Sequence, residues 1–253
     1  MFPTPLRLRY MPQRQHKNSQ SGKLQMSMKR LIFILAAPLL LASCLLTPGK
    51  FVSTLDIKKD RTFTFTYAGE IIVIDQKSAP TECDPEDKGC NPATIAAEAE
   101  TKHAEQEAKF AEIGEALGKE AGYRSVEYLG EGKYRVDYAI SGKLDRTFLY
   151  PFNSDAKAIL PWLGVEIRND GTARIKAPGF GEENDTPGMG TANPLGDSTK
   201  MRDGTFTLTT DAEIVMQNEE SGVRQGQGGA KTIVWKVTPT SEIVPTAVLR
   251  FSE

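Results

Sequence analysis

The sequence predicts an α+β fold, a mostly antiparallel sheet or partial barrel with one main helix packed on it. Three observations lead there. Many short runs alternate apolar with polar residues. The clearest is RTFTFTY at 61–67, where Phe63, Phe65 and Tyr67 share one face and threonines the other. A single stretch, residues 93–120, is Ala- and Glu-rich and carries Phe110, Ile113 and Leu117 at helical spacing. Strong turn signals, GEG at 130–132 and NDG at 169–171, separate strand-like runs at hairpin distance.

The elements follow in order. Phe51, Ser53, Leu55 and Ile57 have one parity, and KKD at 58–60 turns the chain into residues 61–75. Gly69 marks a bulge or bend in that second strand. Residues 77–92 read as loop. In the helix that follows, the stripe occupies only the C-terminal half. That half is expected to pack and the N-terminal half to project, with Gly122 as the stop. Residues 123–140 form a second hairpin, with Tyr134, Val136, Tyr138 and Ile140 on one face. Residues 147–152 are a further strand, and 163–175 a third hairpin. Residues 177–204 are rich in Gly, Pro, Asn and Asp without a periodic run, a long loop of the functional or mobile kind. Residues 205–216 form a kinked strand. A glycine-rich turn at 222–229 leads to strands at 232–237 and 243–251. DRTFTFT at 60–66 echoes DGTFTLT at 203–209. A turn aspartate feeding an alternating strand explains both.

Upstream of all this, MKRLIFILAAPLLLASC at 28–44 has a basic start, a short apolar run and small residues before a cysteine. It is shorter than the roughly 20 apolar residues of a membrane-spanning helix and reads as an export signal. Leu41-Ala42-Ser43-Cys44 resembles the lipobox of bacterial lipoproteins. The resemblance implies cleavage before Cys44, lipidation of its thiol and acylation of the new N-terminus. In such proteins an Asp after the cysteine retains the protein in the inner membrane, and Leu45 instead points to the outer membrane. Residues 26–43 are thus the signal peptide. Residues 1–25 read as a start-site artefact, or alternatively as a basic extension. Residues 44–253 form one periplasmic domain.

Charge narrows the partners. Residues 1–43 carry seven basic and no acidic side chains, so residues 44–253 hold 24 basic and 33 acidic ones, a net −9. Nucleic acid, which demands basic patches, is not expected as a partner. Attachment by a polybasic segment is not expected either. The lipid is the membrane contact.

Beyond Cys44 the cysteines are Cys83 and Cys90, in CDPEDKGC. In an oxidising compartment such a pair reads as a disulfide closing a small loop. Free thiols and metal are the alternatives, and no C-x₂-C spacing supports metal. His103 is the only histidine after residue 43 and lies on the solvated helix, so no triad or zinc site is expected. GQGGAK at 226–231 and GMGTAN at 188–193 fail the spacing of phosphate-binding loops. Asp84, Glu86 and Asp87, and Glu182, Glu183 and Asp185, are acidic loop clusters without calcium-loop spacing. No cofactor, metal or catalytic residue is expected.

The aromatic residues are the remaining candidates. Phe63, Phe65, Tyr67, Tyr134, Tyr138 and Trp162 are expected to line a concave sheet face that holds an apolar or amphipathic ligand. The lipobox, the immediate hairpin TLDIKKDRTFTFT at 54–66, the helical insert and the late Val234-Trp235 strand together resemble the LppM-type domain of bacterial lipoproteins. That resemblance implies a non-enzymatic envelope lipoprotein with lipid or glycolipid ligands. The expected function is binding, of a lipid-like ligand or of an envelope partner protein, the latter through the loop at 177–204. The alternative is a periplasmic hydrolase using loop carboxylates or a serine.

Overall fold

The computed structural model describes residues 44–75, 91–151, 161–181 and 200–251. Strands β1 (Cys44–Ile57) and β2 (Thr62–Asp75) form the first hairpin, and helix α1 (Pro92–Leu117) follows. Next come β3 (Tyr123–Gly130), β4 (Lys133–Lys143), β5 (Phe148–Tyr150), β6 (Leu163–Ile167) and β7 (Thr172–Lys176). The chain closes with β8 (Asp203–Thr210), β9 (Glu213–Gln217), β10 (Arg224–Gln225), β11 (Lys231–Val237) and β12 (Thr246–Arg250).

These strands make two sheets rather than one curling barrel. A seven-stranded sheet has the order β10-β11-β8-β1-β2-β4-β3, and a five-stranded sheet the order β5-β6-β7-β12-β9. The fold class is α+β. Among the described strands β1 and β8 pair in parallel, and every other pairing is antiparallel. The kink expected near residue 211 is where the chain changes sheets, from β8 into β9. Lys59 N donates to Asp211 Oδ1 at 2.6 Å and Ala212 N to Thr210 Oγ1 at 3.0 Å, which holds the corner.

Strand parity decides what is buried. Phe51, Ser53, Leu55 and Ile57 of β1 and Phe65 and Tyr67 of β2 face inward. On β4 the inward set is Tyr134, Val136 and Tyr138. Tyr134 meets α1, donating to Phe110 O at 2.7 Å, while Tyr138 meets Tyr150 of β5, with ring centroids 4.7 Å apart. The helix and the second sheet therefore cover the same face of the large sheet.

The middle of β1 depends on two glycines. Phe51 is paired with Gly69 on β2 and with Gly204 on β8. A Cβ on Gly69 would lie 2.4 Å from Lys50 O, and one on Gly204 2.4 Å from Phe51 O. The bulge expected at Gly69 falls on the opposite strand, between Pro48 and Phe51 of β1. The extra residue needs the room that Gly69 leaves.

Helix α1 starts at an Asn91 cap, whose side chain accepts from Ala93 N at 3.0 Å, with Pro92 in the first turn. It ends at Leu117 with Gly118 as the cap, earlier than the expected stop. Gly122 has another use: at φ +98° it passes under the Tyr138 ring, where a Cβ would be 2.5 Å from Cε2. Residues 96–105 are exposed all round, whereas Phe110 is buried and Ile113 and Leu117 are half-buried. The apolar stripe thus packs only where the sequence carries it.

The reading of 177–204 as featureless loop misses its start. Pro178–Phe180 is a 3₁₀ turn, and Phe180 is fully buried, its ring 4.5 Å from that of Phe51. Proline and glycine around it hid a single core residue from any periodicity test. At the other end Arg202 is buried and donates to Gly181 O at 2.6 Å.

Gly69→Ala is expected to destabilise the fold by about 1–3 kcal/mol, because the added methyl meets backbone that cannot retreat. Gly164→Ala, whose Cβ would meet Leu149 Cδ2 at 3.4 Å, should be close to neutral. Urea denaturation of both variants checks the contrast.

Candidate functional site

The aromatic candidates come together, but as packing. Phe65, Tyr67, Tyr134, Tyr138 and Trp162 are buried, and Phe63 is half-buried against Phe148 at 5.0 Å. Rings follow one another through the interlayer space: Phe65 to Tyr150 at 4.8 Å, Tyr150 to Tyr67 at 5.5 Å, Tyr67 to Trp162 at 5.5 Å. The concave face expected to hold a ligand is occupied by the side chains of the second sheet. Sequence parity identifies an inward face but not what fills it.

Their polar atoms serve the fold. Tyr67 OH donates to Glu70 O at 2.7 Å, and Trp162 Nε1 donates to Leu46 O at 3.1 Å, pinning the start of β1. The Tyr150 hydroxyl is buried, with Tyr123 as its polar neighbour. Burial first, then nearby charge, holds Tyr67 and Tyr150 well above the usual phenol range. Tyr123 is raised by the same desolvation.

His103 is exposed on the first half of α1. Among the described residues no group of three or more His, Cys, Asp or Glu could hold a metal ion. Asp60 and Asp170 have lowered pKa values, in each case through a side-chain and then a backbone hydrogen bond from a threonine two residues on. Thr62 donates to Asp60 through its hydroxyl at 2.7 Å, and Thr172 to Asp170 at 2.6 Å. Both are turn aspartates opening a strand, as read for Asp60. Cys83, Cys90 and both acidic loop clusters lie outside the described residues.

The outward face of the large sheet is the surface that the sequence reading passed over. Across β11, β8, β1, β2 and β4, one row reads Val234, Thr207, Thr54, Thr66, Ala139. The next row reads Thr232, Thr209, Asp56, Thr64, Ser141. Asp56 is the single charged side chain among these ten. Thr54 and Thr66 hydroxyls are 2.6 Å apart, and those of Thr64 and Ser141 2.9 Å. Val52 beside them is 58% exposed. Beyond Val52 the face dips into an open groove of about 400 Å³, lined by Lys50, Gly69, Glu70, Ser125, Arg135 and Asp137. Its charges are mixed and partly paired, with Arg135 on Glu127 at 2.8 Å and Arg124 near Asp137 at 3.8 Å. The polar halves of TFTFT and TFTLT were the available signal. The array forms only once β8 is set beside β1.

The residue expected to be lipidated has a plain geometry. Cys44 is the first residue of β1 and is already paired, with Asp75.

No protein-family model matches the chain, and no curated protein matches it. Among solved structures, the NMR structure of the LppM folded domain of Mycobacterium tuberculosis aligns at 15% identity, over 83% of this chain and 93% of that one, with a TM-score of 0.31.

The buried phenols give a pH test. A folded-state pKa above the unfolded value of about 10 contributes stability that is complete below about pH 10 and lost as pH rises further. Tyr67 and Tyr150 should therefore form phenolate only together with the loss of near-ultraviolet circular dichroism, and Tyr150→Phe should shift that alkaline transition upward. Parallel absorbance and dichroism titrations check it.

Proposed function

We propose that this chain is a non-catalytic, lipid-anchored protein of the bacterial cell envelope that recognises a partner protein through the outward face of its seven-stranded sheet. Cys44 carries the lipid, and Leu45 assigns the outer membrane, with the domain on the periplasmic side. One observation carries the binding mode: the interlayer space is filled ring against ring. Rings packed in this way among the described residues favour recognition at the surface over a ligand held between the sheets. The outward face supports this role because two of its rows hold one charge, Asp56, among ten residues, in a chain that is net acidic after residue 43. Interface cores are likewise depleted of charge.

The anchor and the binding face are tested separately. Cys44→Ser should abolish palmitate labelling and release the protein from the membrane fraction. The soluble Cys44→Ser form should give a clean apo mass by native mass spectrometry. A stoichiometric bound lipid would overturn the packed-core argument. In intact cells a photo-cross-linker at Val52 should give a discrete adduct that Thr54→Lys and Thr207→Lys each remove, while a cross-linker at Glu166 gives none. A Val52 adduct unaffected by both substitutions would retire this face.

A further inference from the structure

We infer that the domain is mounted on the bilayer without a tether, with the Cys44 end of the large sheet and the first half of α1 forming a surface that rests on lipid headgroups. This rests on the reading of Cys44 as the lipidated residue.

The first argument is slack. A linker of n flexible residues gives reach of roughly 5–6 Å × √n. Here the residue that bears the lipid is itself in register, Cys44 with Asp75, and Leu45, Leu46 and Thr47 continue the ladder with Ile74, Val73 and Ile72. Trp162 fixes Leu46 from the other layer. Acyl chains on Cys44 therefore hold a sheet edge, not a loose chain end.

The second argument is depth. No charged residue occurs on β1 before Lys50, and none on β2 between Glu70 and Asp75. Asp75 pairs with Cys44 at the end of the ladder. A charge in hydrocarbon is costly, so this row stays among the headgroups while the lipid chains continue below. The apolar rows next to it stand immediately above the surface.

The third argument is the helix. Along α1 a Cβ on Gly118 would lie 4.0 Å from Val126 Cβ, one on Gly114 3.8 Å from Tyr128 Cβ, and Gly132 lies under Phe110. So α1 runs antiparallel to β3 and leaves the sheet at the β3–β4 turn. Gly132 O accepts from Val73 N, which puts that turn at the Cys44 end. From Phe110 back to Pro92 the helix extends about 27 Å further. Its exposed Glu98, Glu100, Lys102 and Glu105 exclude it from hydrocarbon. The arm therefore lies along the headgroup layer, and the strands stand tilted.

The mount also restricts the partner. Thr54 is ten residues from Cys44, at most about 33 Å along the strand. A protein that reads the outward face is then bound within that distance of the bilayer.

The test uses the processed, acylated full chain in phosphatidylethanolamine–phosphatidylglycerol vesicles containing dansyl-phosphatidylethanolamine. The chain has two tryptophans, so Trp235→Phe leaves Trp162 as sole donor. Energy transfer from Trp162 to dansyl should be strong. It should fall several-fold when about twelve Gly/Ser residues, enough for a flexible coil, are inserted between Cys44 and Leu45. Hydrogen exchange on the chain with both tryptophans needs no core substitution. Amides of residues 92–105 should slow on vesicles and recover with the linker. Equal transfer and equal exchange with and without the linker would overturn the mount while leaving the anchor intact. An intact mass lacking acyl chains would remove the anchor itself, and the mount with it.

Discussion

The ring of Phe51 sits where the central strand has a glycine on each side. Gly69 and Gly204 lack the Cβ atoms that would strike the β1 backbone, and the freed space lets Phe51 stack on Tyr67 at 5.5 Å and on Phe180 at 4.5 Å. Much else follows from this arrangement. β8 can lie parallel to β1 only because the strand passes Phe51 at a glycine. The bulge before Phe51 then lets both halves of the hairpin stay paired, from Cys44 to Ile57.

From that point the aromatic residues connect the layers. Phe180 passes the contact to Phe206 and on to Trp235, while Tyr67 passes it to Tyr150 and Trp162. Each neutral hydrogen bond made by these side chains is worth about 1 kcal/mol net. Their positions matter more than their sum. Tyr134 ties down the packed half of α1, and Trp162 ties down the strand that follows the anchor. A core this filled trades ligand capacity for rigidity, which suits a domain that presents a surface.

The two functional proposals meet in β1. One end of the strand holds Cys44, the proposed lipid site, and its middle contributes Val52 and Thr54 to the outward face. A stiff strand between them sets the height and angle of that face above the membrane. The long tethers common to anchored domains would leave both free.

Much of this was legible in the sequence. Alternation in TFTFTY and the Tyr134–Tyr138 run determined which residues turn inward. The Phe110, Ile113 and Leu117 stripe determined which half of the helix packs, and Gly-Glu-Gly at 130–132 and Asn-Asp-Gly at 169–171 placed two hairpin turns. These are properties of neighbours along the chain, and a 2.0 or 3.6 repeat expresses them directly. Strand order, the parallel β1–β8 pair and the change of sheet at residues 211–212 were decided only in the tertiary structure. So was the filling of the inward face, where Phe65, Tyr67, Tyr134, Tyr138 and Trp162 are buried. The threonine array has the same origin in part: Thr54 and Thr66 meet within one hairpin, but Thr207 joins them from more than a hundred residues away along the chain. Parity tells a side chain which way to point, but what stands opposite depends on which distant strand finds room beside it, and here two glycines made that room.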